Sequence, residues 1–131
     1  MKRGEAMANI KVVIVDDSAF ARKVLRKCLD VSGVEVVGVA NDGMQALELI
    51  EALAPDVIIL DLVMPVLDGL GVLRALSGLT TPRVVVVAGS ASEPLPAGAF
   101  RIVRKPTPLA VEELYAIGAE LVEVVRAAAR A

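Results

Sequence analysis

The fold of this 131-residue chain is decided by one short stretch, Val57-Ile58-Ile59-Leu60-Asp61. Its apolar residues are mostly β-branched, a pattern typical of a central strand in a parallel sheet, which is buried on both faces. A similar run, Ile10 to Val15, also precedes acidic residues, and another extends from Val84 to Val87. These runs predict buried parallel strands, two of which are followed directly by carboxylates.

Helical patterns separate the predicted strands. Phe20, Val24, Leu25 and Leu29 would form one apolar helix face, with Ser18 as the N-cap. Further helices are predicted from apolar stripes at Met44, Leu47, Ile50 and Leu53, at Leu70, Leu73 and Leu76, and at Leu114, Ile117, Leu121 and Val125. The predicted strands are Ile10 to Val15, Val34 to Ala40, Val57 to Leu60, Val84 to Val87 and Arg101 to Arg104. Strands that alternate with helices predict an α/β fold whose parallel sheet is covered on both faces.

The connection between the fourth and fifth predicted strands departs from this alternation. It contains Pro94 and Pro96 among small residues, which disfavours a regular helix. We therefore expect the fourth crossover helix to be shortened or missing. The last helix has a clear start, with Thr107 as the N-cap and Pro108 at the first helical position.

The bulk composition excludes several kinds of chemistry. The chain has no histidine, so it can form neither a Ser-His-Asp triad nor a histidine metal site. A net charge of −2 argues against binding nucleic acid through charge, and every apolar run is far shorter than the ~20 residues of a membrane span. The single cysteine, Cys28, predicts a reducing, cytoplasmic setting. We expect residues 1–8 to be a tail and residues 9–131 to form one domain.

Charged residues follow the predicted strands at the edge of the sheet where parallel α/β folds bind ligands. Asp16 and Asp17 follow the first strand, Asp61 the third and Lys105 the fifth. Three carboxylates held together repel one another unless a cation joins them, and Mg²⁺ prefers carboxylate and phosphate oxygens as ligands. With Lys105 as the counter-charge for a phosphate, the set predicts phosphoryl transfer in which an aspartate is the covalent acceptor.

Four separated motifs together resemble the receiver domain of two-component response regulators. They are Val12 to Arg22 with its Asp16-Asp17-Ser18-Ala19-Phe20 core, Asp56 to Gly69 with Asp61 and Met64-Pro65, Ala97-Gly98-Ala99, and Val103-Arg104-Lys105-Pro106. The likeness covers residues 10–126, and the first motif is most similar to receivers of the chemotaxis type. It implies a flavodoxin-like (βα)5 fold, in which a doubly wound five-stranded parallel sheet has the strand order 2-1-3-4-5.

The resemblance also implies a role for each matching residue. Asp61 would be the phosphoacceptor and also a Mg²⁺ ligand. The other implied Mg²⁺ ligands are Asp17 directly, Asp16 mainly through water and Val63 through its backbone carbonyl. Lys105 would pair with the phosphoryl group, and Pro106 would shape the loop. The phosphoryl donor would be the phosphohistidine of a sensor histidine kinase or phosphotransfer protein. A chain without histidine is then the acceptor half of such a pair.

Two positions depart from the receiver pattern. The Ser or Thr that usually ends the fourth strand is replaced by Ala88 when the apolar run is aligned, or by Val87 when Pro82 is aligned. Ser90 could supply a hydroxyl only through a rearranged loop, and the aromatic residue usual on the fifth strand is replaced by Ile102. We therefore expect the phosphorylation chemistry to be retained and its coupling to conformation to be weakened.

The motifs leave four functions open. The first is a single-domain response regulator, not itself an enzyme, that is phosphorylated on Asp61 and signals to an unidentified downstream protein by direct contact. The second is a degenerate receiver that serves as a docking module, and the third is a phosphoryl sink without an output. The fourth, a phosphohydrolase of the haloacid dehalogenase type, requires an aspartate where Val63 stands.

Other charged and reactive residues have simpler predicted roles. The basic residues of the first helix are predicted to form a solvated face or a kinase-docking surface; they are Arg22, Lys23, Arg26 and Lys27. Cys28 is predicted to be a small core residue, and Asp68-Gly69 to be a turn that begins the third helix.

Overall fold

A five-stranded parallel sheet forms the centre of the protein, with helices on both of its faces. The computed structural model describes residues 9–89, 94–104 and 111–131. In chain order the elements are β1 (Ile10–Val15), α1 (Ala19–Cys28), β2 (Val34–Ala40), α2 (Gly43–Leu53), β3 (Val57–Asp61), α3 (Gly69–Ala75), β4 (Arg83–Ala88), β5 (Arg101–Arg104) and α4 (Val111–Arg130). The strand order is β2-β1-β3-β4-β5, and all neighbouring strands are parallel. The predicted fold class and strand order are therefore confirmed.

The described residues contain four helices rather than the five of a complete (βα)5 unit. Between β4 and β5, residues 94–100 form turns and extended chain, held by a bond from the N–H of Phe100 to the carbonyl of Val84 (2.7 Å). The expectation that the fourth helix is shortened or missing is confirmed for this part of the chain. None of the four helices combines the length and the hydropathy needed to cross a membrane.

The sheet divides the core into two layers because alternate residues of each strand point to opposite faces. Val12 and Ile14 of β1 pack with α1 and α4, whereas Val13 and Val15 pack with α2 and α3. The same alternation holds in β3, where Ile59 faces the first layer and Leu60 the second. Both faces of the central strands are thus buried, which explains their continuous apolar sequence.

Side-chain caps determine where three of the helices begin. The Ser18 hydroxyl oxygen accepts a hydrogen bond from the N–H of Ala21 (3.2 Å), as the sequence predicted. Carboxylates cap the next two helices in the same way, Asp42 for α2 and Asp68 for α3. Each cap satisfies an N–H that the helix itself leaves without a partner, so the loops before these helices are fixed.

Two glycines allow elements to approach more closely than any side chain would permit. Gly43, the first residue of α2, donates its N–H to the carbonyl of Leu67 (3.0 Å), and a Cβ atom at Gly43 would overlap that carbonyl oxygen. On the opposite face of the sheet, a Cβ atom at Gly118 of α4 would lie 2.8 Å from the sulfur of Cys28 on α1. The half-buried Cys28 borders the first core layer as predicted, and its burial raises the pKa of the thiol.

Candidate functional site

Three carboxylates converge at the carboxyl ends of β1 and β3. One carboxylate oxygen from each of Asp16, Asp17 and Asp61 can be chosen so that all three lie within 4.8 Å of one another. β1 and β3 are direct neighbours in the sheet, with Val15 beside Leu60, so the residues that follow them meet at one edge. The structure thus brings together the three acids that the sequence placed at this edge.

Asp16 is fully buried and is held by its backbone as well as by its side chain. Its N–H donates to the carbonyl of Ala40 on β2 (3.0 Å), and its Oδ1 accepts the N–H of Ser18 (2.9 Å). Asp17, the next residue, is exposed. The turn therefore anchors one carboxylate inside the protein and presents the other toward solvent.

Asp61 is the last residue of β3 and is only 4% exposed. Its Oδ1 accepts a long hydrogen bond from the N–H of Val63 (3.3 Å), and β3 continues its pairing with β4 as far as Asp61 beside Val87. The start of α3 also comes close, since a Cβ atom at Gly69 would lie 2.6 Å from the carbonyl oxygen of Asp61. The position of this carboxylate is therefore set by the sheet and by the loop that follows it.

The donor set fits a small divalent cation. All three side chains offer oxygen, and two of them, Asp16 and Asp61, are buried beside each other in a cluster of like charges. Repulsion among the three carboxylates decreases when a cation binds, and oxygen-only ligands select Mg²⁺, Ca²⁺ or Mn²⁺ rather than softer metals. Val63, whose carbonyl is the further expected ligand, is 81% exposed on the adjacent loop.

Of the remaining predicted site residues, the structure describes Ala88 and Ile102. Ala88 is the last residue of β4 and is 5% exposed, and Ile102 lies half-buried on β5. Val87 belongs to the core layer under α1 and α4 and lies beside Asp61 in the β3–β4 register, so its side chain and that of Asp61 point to the same face of the sheet. Lys105, Pro106 and Ser90 lie outside the described residues, as do the predicted helix cap Thr107 and Pro108.

One contact at this edge was not predicted from the sequence. Arg22, assigned above to a solvated or kinase-docking face of α1, is half-buried, and its Nη1 donates to the backbone carbonyl of Asp16 (2.7 Å). The two residues are six positions apart, a spacing that links a loop to the second turn of the helix after it. Helical periodicity predicts contacts between residues three or four positions apart, so it does not predict this pair. The sequence feature that could have indicated the contact is a basic residue shortly after two acidic ones.

A family profile and several curated relatives match most of the chain. Residues 12–117 match the sequence profile of the response regulator receiver domain. The chain is 59% identical over 130 residues to protein-glutamate methylesterase/protein-glutamine glutaminase 5 of Myxococcus xanthus (strain DK1622), which covers 93% of this chain and 37% of that protein. It is 39% identical over 127 residues to the methylesterase/glutaminase of Bacillus subtilis (strain 168), covering 91% of this chain and 36% of that one. The chain thus spans little more than a third of these relatives.

A solved structure shows the same relationship in three dimensions. The response regulator domain of Thermotoga maritima CheB superposes with a TM-score of 0.80 at 35% identity, and the match covers 94% of this chain and 98% of that one. Profile, relatives and structure agree on the family and on the fold. The chain therefore belongs to the response regulator receiver domains of two-component signalling, and it is of the chemotaxis type.

Proposed function

We propose that Asp61 accepts a phosphoryl group from the phosphohistidine of a sensor histidine kinase or phosphotransfer protein, in a step that requires Mg²⁺. The observation that carries this proposal is the convergence of Asp16, Asp17 and Asp61 within 4.8 Å at the carboxyl edge of the sheet. Family membership supports the same chemistry. We expect the protein to act in the cytoplasm by contact with other proteins, and Lys105 to pair with the phosphoryl group.

Phosphoryl transfer to Asp61 forms one P–O bond and breaks one P–N bond. A carboxylate oxygen of Asp61 attacks the phosphorus atom, and the P–N bond of the phosphohistidine breaks as its electron pair moves to the imidazole nitrogen, which then takes a proton from water. Asp61 is positioned for this attack because β3 and the N–H of Val63 fix its carboxylate. Because the attacking group is a carboxylate and not a hydroxyl, no proton has to be removed from it and the step needs no general base.

The acidic cluster would hold the metal at the reacting group. Asp17 presents an exposed carboxylate, Asp16 a buried one held by the N–H of Ser18, and Val63 a backbone carbonyl on the neighbouring loop. Bound Mg²⁺ supplies neutralisation of the charge on the phosphoryl oxygens. The chain's own contribution is to keep these oxygens together at one place, which the bonds of the β1–α1 turn accomplish.

The proposal is tested by phosphorylating the wild-type protein with acetyl phosphate, with Mg²⁺ or with excess EDTA. We expect one hydroxylamine-sensitive phosphoryl group per chain, detected by intact mass and on Phos-tag gels. Removing the metal should slow its formation at least about 100-fold, because charge neutralisation by a metal is worth several kcal/mol. Equal rates with and without Mg²⁺, or a phosphoryl group that resists hydroxylamine, would contradict the proposal.

The relatives suggest the class of downstream target. Their printed activities are protein-glutamate methylesterase and protein-glutamine glutaminase, and identity to one of them reaches 59%. We infer that phosphorylation of Asp61 controls an activity of this kind, through contact between the receiver and the catalytic part that carries it.

A receiver with weak conformational coupling is a second candidate. The observation that favours it is Ala88, which ends β4 at 5% exposure and has no hydroxyl with which to bond a phosphoryl oxygen. A hydrogen bond to a charged group contributes about 1.5–3 kcal/mol, so its loss reduces the energy available to shift conformation. Such a protein would accept the phosphoryl group and act chiefly as a docking module or a phosphoryl sink.

Ala88→Thr should strengthen the conformational response. We expect larger and more widespread amide chemical-shift changes on addition of beryllofluoride and Mg²⁺ than in the wild type, because the new hydroxyl can bond the phosphoryl mimic. Val87→Thr tests the other alignment of the missing hydroxyl, because Val87 lies beside Asp61 in the β3–β4 register; without a phosphoryl group to bond, its buried hydroxyl should destabilise the fold by about 1–3 kcal/mol. Identical responses in the wild type, Ala88→Thr and Val87→Thr would rule out the missing hydroxyl as the cause of weak coupling.

A further inference from the structure

Four hydrogen bonds among the described residues help to fix the turn that carries Asp16 and Asp17, and one of these four comes from a long side chain. The backbone N–H of Asp16 bonds to β2, its Oδ1 accepts from the N–H of Ser18, and the Ser18 hydroxyl accepts from the N–H of Ala21. The fourth is the bond from Arg22 Nη1 to the carbonyl of Asp16 (2.7 Å). It lies at the point where the chain leaves the sheet, one residue after the β1 pairing ends at Val15.

The distance and the donor type make this a strong bond. A donor that carries a positive charge forms a shorter and stronger hydrogen bond than a neutral one, and 2.7 Å is at the short end for N–H···O. The carbonyl belongs to a fully buried residue, so leaving it without a donor would be costly. The backbone from which the half-buried Arg22 side chain extends is also fixed. The N–H of Arg22 donates to the carbonyl of Ser18 (3.0 Å), which is the first hydrogen bond of α1.

We propose that Arg22 is a positioning residue for the metal site, which holds the peptide between Asp16 and Asp17 so that the exposed Asp17 carboxylate stays beside Asp61. This inference rests on the proposed function, because it concerns the same Mg²⁺ site. Residues that hydrogen-bond to metal ligands without touching the metal orient those ligands. Their removal typically lowers metal affinity by about 10–100-fold. Arg22 would act in this way through the backbone of Asp16 and without touching the metal.

A purely electrostatic role for Arg22 predicts the opposite result. The guanidinium brings a positive charge to an acidic cluster, and through-space repulsion of Mg²⁺ would make the wild type bind more weakly than a variant without that charge. Removal of Arg22 therefore weakens Mg²⁺ binding if positioning dominates and strengthens it if charge dominates. The sign of the change alone separates the two roles.

The test is a Mg²⁺ titration of metal-free protein followed by the amide chemical shifts of residues 16–18. We expect the dissociation constant of Arg22→Ala to be raised by about 10–100-fold, and Arg22→Lys to recover part of the loss, since a lysine keeps the charge and one donor. The matched control is Lys23→Ala, which removes the same charge from an exposed neighbour on α1 and should change the constant less than about twofold. An Arg22→Ala protein that binds Mg²⁺ as well as the wild type, or better, would overturn the inference, as would an equal loss in Lys23→Ala.

A second measurement needs no metal. In metal-free protein, amide hydrogen exchange at Asp16 and Ser18, whose N–H groups are both hydrogen-bonded in the turn, should be at least about tenfold faster in Arg22→Ala than in the wild type, while exchange in β3 is unchanged. Equal exchange at these two amides would overturn the positioning role even if the titration could not be completed. A wild type that binds no Mg²⁺ would instead overturn the proposed function, and the exchange measurement would still decide the role of Arg22.

Discussion

Asp61→Asn is expected to abolish phosphorylation by acetyl phosphate. The amide lacks the anionic oxygen that attacks phosphorus, and it also removes one of the three carboxylates that lie within 4.8 Å of one another. We expect the rate of phosphorylation to fall by more than about 10³-fold. Removal of the nucleophile of a protease lowers its rate by ~10⁶-fold, so this expected loss is a lower limit. The measurement is the fraction of phosphorylated chain on Phos-tag gels at saturating Mg²⁺.

The control for this substitution is Asp30→Asn, which makes the same chemical change at an exposed carboxylate just after α1. It should be phosphorylated at the wild-type rate. Far-ultraviolet circular dichroism and thermal unfolding show whether Asp61→Asn keeps its fold, so that loss of labelling is not mistaken for loss of structure. Undiminished labelling of a folded Asp61→Asn protein would show that another residue is the acceptor.

Gly43→Ala is expected to produce the largest loss of stability among single methyl additions to the described glycines. The new methyl group would overlap the carbonyl oxygen of Leu67, the same atom that accepts the N–H of Gly43. The contacted atom belongs to the backbone and cannot move aside as the end of a flexible side chain could. Either the hydrogen bond from Gly43 to Leu67 breaks, or the loop that carries Leu67 shifts. We expect the free energy of unfolding to fall by about 3 kcal/mol and the melting temperature by about 10 °C.

Gly89→Ala provides the comparison, because no heavy atom of the described residues, its chain neighbours aside, lies within 4 Å of a Cβ atom placed at Gly89. It should leave the melting temperature unchanged or raise it slightly, since alanine reduces the conformational entropy of the unfolded chain. Urea unfolding of both variants measures the difference directly. Equal stability of Gly43→Ala and Gly89→Ala would show that the loop around Leu67 adjusts without cost.

The strands were predictable because burial on both faces leaves an unambiguous apolar run, as in Val57 to Leu60. The structure extends β3 by one residue to Asp61, because pairing with β4 continues past the apolar run to Val87. A register shift in the β1–β2 pairing, between Val12 and Val13, could not be predicted. Both details depend on the neighbouring strand, whereas composition and periodicity are properties of a single segment.

The acidic cluster was predictable for a different reason. Parallel strands end at the same edge of a sheet, so residues that follow neighbouring strands meet there whatever the details of packing. The contact of Arg22 with Asp16 and that of Gly43 with Leu67 were not predictable, because each depends on the path of a loop in three dimensions. Sequence patterns identify which residues bear the chemistry, and the tertiary structure shows which residues hold them in place.

The close approach of α1 and α4 has a practical consequence for studying this protein. Cys28 is the only thiol in the chain, and the backbone of Gly118 lies against its sulfur. The half-buried sulfur should react with a maleimide more slowly while the two helices are packed, because Gly118 lies against it and burial raises the pKa of the thiol. The alkylation rate of the natural sequence is therefore a built-in kinetic probe of helix separation, which requires no engineered label.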